Sequence, residues 1–120
     1  MDKLQHISRN LILEKNLEIW QLTATELKQK IVDGEISARE ATESHLSRMN
    51  RLNGKLNAVV ESCEVEALQE ADAVDKKRQK GDKLGALAGV PVTVKVNVDQ
   101  KGYATTNGLQ LQKDLIAKTD

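Results

Sequence analysis

Between residues 90 and 98 the chain alternates with period two, and no other feature constrains its fold as strongly. Val90, Val92, Val94, Val96 and Val98 fall on one face, and Pro91, Thr93, Lys95 and Asn97 fall on the other. That is the pattern of a β-strand with one apolar face. Pro91 stands at its beginning, where a missing N–H is tolerated. A strand must find partners for its backbone N–H and C=O groups. The only other β-leaning stretch is residues 56–61, Leu-Asn-Ala-Val-Val-Glu, and two strands make a poor isolated sheet. The pattern therefore predicts a mixed α/β chain that is incomplete as a stand-alone domain. The alternative is that it completes its sheet with a second copy, as a homo-oligomer joined through unpaired strand edges.

The rest of the first two thirds reads as helices. Leu4, Ile7 and Leu11 have helical spacing over residues 2–15, with Asp2 as a candidate N-cap. Thr23 and Glu26 form a capping-box pattern, Leu27 and Ile31 share a face, and Gly34 suits the left-handed residue that ends many helices. Ser37 and Glu40 repeat the box. The stripe Ala38, Ala41, His45, Met49 and Leu52 then follows one helical face until Gly54 closes it. A fourth helix is expected over about residues 64–80, with Leu68, Ala71 and Val74 inward. Its acidic residues near the start and its lysines and Arg78 near the end complement the helix dipole, which accounts for the basic cluster without a phosphate ligand. The organisation expected is thus helical over residues 1–80, a glycine-rich connection over 81–89, and strand and loop over 90–120, with a short helical segment possible over 109–117.

Composition narrows the function. The 120 residues suffice for one domain, and no apolar run approaches the roughly 20 residues that cross a bilayer. Lys and Arg total 18, as do Asp and Glu, so the basic excess of a nucleic-acid-binding protein is absent. Cys63 is the single cysteine and excludes an internal disulfide; it reads as a small apolar filler. His6 and His45 lack metal-ligand spacing, and His45 on an apolar stripe reads as a packed histidine. No metal or organic cofactor is implied, and a cytoplasmic location without membrane contact is expected. Phe is absent and Trp20 and Tyr103 are the only aromatics, so the core must be aliphatic and the chain reads as part of a larger one.

Lys95 is the candidate for chemistry. On pattern alone it is either a desolvated lysine acting as a proton carrier, or a lysine snorkelling from an edge strand. The segment Leu87-Ala-Gly-Val-Pro-Val-Thr-Val-Lys95-Val-Asn97-Val-Asp99, followed by Gly102 and Thr105-Thr106-Asn107-Gly108, resembles the amidase signature family. That family carries G-[IV]-P-x-x-[VI]-K-x-N and then G-x-x-T-T-x-G in this order. The stretch from Ser37 to Asn53, then Leu56 to Val59, is similar to the family's opening, so the resemblance runs over about residues 22–120.

The resemblance implies one or two strands and the N-terminal helices of the amidase signature fold. It also implies hydrolysis of a carbon–nitrogen bond in a small-molecule amide by a Ser–cis-Ser–Lys triad, with Lys95 as the catalytic lysine. A serine hydroxyl is a weak nucleophile until a base takes its proton, and a lysine can be that base where burial favours its neutral form. Both family serines belong to a Gly/Ser-rich stretch that these residues do not contain, so the chain alone is expected to be inactive. Asn97, Thr105, Thr106 and Gly108 are either supports for the site or simply turn chemistry. Val96 departs from the acidic residue that most often follows the lysine in the family. Two other readings stay open. One is a segment similar to the A-type component of a glutamine-dependent aminoacyl-tRNA amidotransferase, and the other is a non-catalytic, self-assembling helical fragment.

Overall fold

Residues 17–120 are described by the computed structural model. They form, in order, a 3₁₀ turn at Ile19–Gln21, helices α1 (Ala24–Val32), α2 (Ala38–Leu56) and α3 (Glu64–Gln79), and a second 3₁₀ turn at Gln110–Gln112. The helix expected over residues 2–15 lies outside the described residues.

Both capping boxes form. Thr23 Oγ1 accepts from the Glu26 amide at 3.2 Å, and the Glu26 carboxylate accepts from the Thr23 amide at 2.9 Å. Ser37 and Glu40 do the same at 3.0 and 2.8 Å. Each satisfies amides that a helix start leaves without an internal partner. Gly34, at φ +73°, turns the chain out of α1. The start of α2 has a further cap, because the Asp75 carboxylate on α3 accepts from the Ala38 and Arg39 amides at 2.8 and 3.1 Å. Arg39 also pairs with Asp72 at 2.8 Å. The late part of α3 therefore lies beside the beginning of α2, and the two helices run antiparallel.

The buried core is aliphatic, as the shortage of aromatics requires: Leu27, Ile31, Ile36, Ala38, Ala41 and Ala71, with Ile19, Leu22, Val74 and Val90 packed against it. The alanines let the helix backbones approach closely. The connection after α3 returns over this core through Gly89. At φ +80°, a Cβ on Gly89 would stand 2.9 Å from Ile31 Cδ1 and 3.0 Å from Ala38 Cβ. At the core's edge the Arg48 guanidinium lies 4.1 Å from the centre of the Trp20 ring, a cation–π contact. His45 Nδ1 donates to the Ala41 carbonyl at 2.7 Å, as a packed histidine should.

The mixed α/β expectation is overturned: the described residues contain α-helices and 3₁₀ turns and no strand. Residues 90–95 take no regular secondary structure and the chain then turns, the Val98 amide donating to the Lys95 carbonyl at 2.9 Å. The second expected strand is not one either. Helix α2 runs through Gly54 to Leu56, and Asn57 takes the left-handed C-terminal position at φ +49°. Asn53 then ties down the following loop through the Ala58 and Val59 amides. The physical reason is shared. Period-two patterning permits a strand, but a ladder forms only between two chains of backbone groups, and among the described residues the backbone of 91–97 meets one amide from beyond its own turn, that of Asn107, and no strand. Val92 and Val98 are accordingly 72% and 55% exposed. Residues 109–117 hold a single 3₁₀ turn rather than a helix.

Candidate active site

Lys95 begins the turn that closes at Val98, and its side chain is exposed. None of the ion pairs among the described residues involves it.

The four supporting positions behave differently from one another. Asn97 is exposed within the Lys95 turn. Thr106, Asn107 and Gly108 form a tight turn. Asn107 and Gly108 both have positive φ, +50° and +75°, the combination of a type I′ turn. The turn is closed by the Leu109 amide donating to the Thr106 carbonyl at 2.8 Å. Thr106 Oγ1 accepts from the Gly108 amide at 3.2 Å, so its hydroxyl is engaged in the turn itself. Thr106 and Gly108 thus both take part in this turn. Thr105 is held instead from two sides. Its amide donates to the Leu115 carbonyl at 3.0 Å, and its hydroxyl donates to Asp99 Oδ1 at 2.6 Å.

Residues 102–105 and 115–117 meet through an isolated antiparallel bridge between Ala104 and Ile116. The Ala117 amide donates to the Tyr103 carbonyl and the Gly102 amide to the Ala117 carbonyl, both at 2.9 Å. The Asn107 amide reaches the Val96 carbonyl at 3.4 Å. The structure thus joins the lysine turn to the threonine loop through one long backbone contact and through Asp99, which follows the turn directly. Asp99 was not singled out from the sequence. The available signal was a carboxylate six positions before a threonine in a glycine-rich loop, too weak to stand by itself.

A second cluster anchors this region to α3. Gln100 Nε2 donates to the Cys63 sulfur at 3.6 Å. The Tyr103 phenol is held above its ordinary range, first by its hydrogen bond to Cys63 and then by that to Glu66 at the start of α3. Cys63, expected as a filler, is half-buried and carries polar contacts. An open depression of about 420 Å³ between α2 and α3 is lined by Glu43, Leu46, Ser47, Asn50, Glu64 and Leu68, none of them a residue expected in the site. Among the described residues no group of three or more His, Cys, Asp or Glu side chains is placed to hold a metal, and no helix is long and apolar enough to cross a membrane.

Known proteins are similar to this chain in sequence, and one solved structure is similar to it in shape. The chain is 48% identical over 102 residues to an indoleacetamide hydrolase of Bradyrhizobium diazoefficiens, covering 85% of this chain and 20% of that protein. It is 40% identical over 103 residues to the A-type component of the glutamyl-tRNA(Gln) amidotransferase of Streptomyces coelicolor, covering 86% and 21%. A chain in a solved structure, described as an unexpected vestigial protein complex that reveals the evolutionary origins of an s-triazine catabolic enzyme, superimposes with a TM-score of 0.79. It is 32% identical, and the match covers 82% of this chain and 22% of that one. The chain thus spans about a fifth of the length of these relatives. Residues 40–120, which include the Lys95 turn and the threonine loop, match the Amidase family, and the chain belongs to that family.

Proposed function

We propose that this chain is the lysine-bearing segment of an amide hydrolase, and that Lys95 is its proton carrier. The observation that carries the reading is the family match across residues 40–120, which takes in the Gly-Val-Pro-Val-Thr-Val-Lys motif and the Gly-Tyr-Ala-Thr-Thr-Asn-Gly loop. In the reaction this implies, neutral Lys95 accepts a proton, relayed through a second serine, from the hydroxyl of the attacking serine. That serine adds to the amide carbonyl, and the proton returns to the departing amine. The two serines are contributed by sequence outside residues 1–120, and their approach would also bury Lys95. The 48% identity to an indoleacetamide hydrolase favours a small primary amide as substrate.

The test is ammonia release from indole-3-acetamide by the polypeptide made from its own locus, compared with the 120-residue chain. The expected result is activity only in a polypeptide that also carries the serine segment. Lys95→Ala should lower kcat by about 10²- to 10⁴-fold, the usual worth of a positioned acid–base group. Activity undiminished by that substitution would sink the assignment.

A second reading is a segment like the A-type component of an amidotransferase, supported by 38% and 40% identity to two such proteins. It predicts ammonia release from glutamine and copurification with a small partner protein, in place of indole-3-acetamide hydrolysis.

A further inference from the structure

We propose that Asp99 is a positioning residue for Lys95, clasping the lysine turn to the threonine loop through the Thr105 hydroxyl. The inference rests on the amide-hydrolase reading and extends it to a residue that the sequence motif does not single out. Lys95 leaves its turn at Val98, and Asp99 is the next residue, so whatever fixes the Asp99 side chain fixes the exit of the turn. The Asp99–Thr105 hydrogen bond is 2.6 Å long, in the range of a hydroxyl donating to a carboxylate and stronger than a neutral pair. Thr105 is itself held on the opposite side by the Leu115 carbonyl at 3.0 Å, so the clasp ends on a braced element and not on a free loop. The Val96–Asn107 backbone contact, at 3.4 Å, is too long to set the geometry alone. Among the four residues that follow Lys95, Asp99 is the acidic one.

Two measurements test this. In the 120-residue chain, Asp99→Ala and Thr105→Val should each raise amide hydrogen exchange at Val98, Thr105 and Asn107 by about tenfold or more, with helix α2 unchanged. Asp99→Asn and Thr105→Ser, which keep an acceptor and a hydroxyl, should restore most of the protection. In the active polypeptide, Asp99→Ala and Thr105→Val should each lower kcat by about 10- to 100-fold, the cost of a misplaced reacting group, with KM within about twofold. The double variant should be no slower than the worse single one, since both remove the same bond.

Unchanged exchange in both variants overturns the clasp whatever the activity. Lost protection with unaltered kcat overturns its role in positioning Lys95, as does a double variant whose losses multiply. Lost protection in a polypeptide that hydrolyses no amide counts against the amide-hydrolase reading while supporting the clasp.

Discussion

Single residues decide where this chain can bend and which groups it can shield. Gly89 combines φ +80° with a Cβ position only 2.9 Å from Ile31 Cδ1. Gly102, at φ +87°, has nothing within 4 Å. Gly89→Ala is therefore expected to cost about 2–4 kcal/mol, backbone strain plus overpacking, and Gly102→Ala only the strain of about 1–2 kcal/mol. Urea denaturation of the two variants checks the difference, and equal losses would remove steric contact as the reason for Gly89.

Tyr103 is the only tyrosine, so its phenolate absorbance reports one site. Its neutral form is the one bonded to Cys63 and Glu66, and its folded value is raised above the ordinary 10.0. The Tyr103 contacts with Cys63 and Glu66 are accordingly complete below about pH 10 and are lost as pH rises through the folded value. Cys63→Ala should bring the phenolate midpoint back toward the ordinary value. A midpoint indifferent to that substitution would show that Cys63 is not its partner.

At the scale of elements, helix α2 is capped twice, once by its own Ser37 and once from α3 by Asp75. Ser37→Ala removes a local cap and is expected to cost about 1 kcal/mol. Asp75→Ala removes a carboxylate shared by two amides and loosens the α2–α3 pair, for about 1–3 kcal/mol. Both act on one helix end, and an end already frayed has less left to lose. The double variant should therefore cost less than the sum of the two; chemical denaturation of the four proteins completes the cycle, and strict additivity would show that the caps act independently. Only the first cap was legible in the sequence, since its partners are three residues apart. Asp75 is 37 residues from Ala38, and no local pattern announces such a contact. The same distinction separates Thr106, whose hydroxyl serves its own turn, from Thr105, whose partner Asp99 becomes visible only once the loop has folded.

For the whole molecule, the helices close over an aliphatic core while the valine segment lies open. Among the described residues, none of the backbone hydrogen bonds is donated by the amides of residues 92–97, whereas the Val98 amide is bonded. Hydrogen exchange should therefore be close to the unprotected rate at Val92 and Val94 and slow in the middle of α2 and α3. Strong protection across residues 90–98 in the isolated chain would mean that the segment has found a partner, a second copy included.

The amino-acid order alone is enough to mark the capped starts of α1 and α2, the shared face of Leu27 and Ile31, and the packed histidine. Each depends on side chains and amides within a turn or two of one another, so local chemistry suffices. Three outcomes needed the folded chain: residues 90–98 form no strand here, Asp75 caps a helix from its neighbour, and Asp99 meets Thr105. Those depend on which backbone and side-chain groups arrive from elsewhere. A β ladder above all requires a second row of amides and carbonyls, which a pattern of valines can invite but cannot supply.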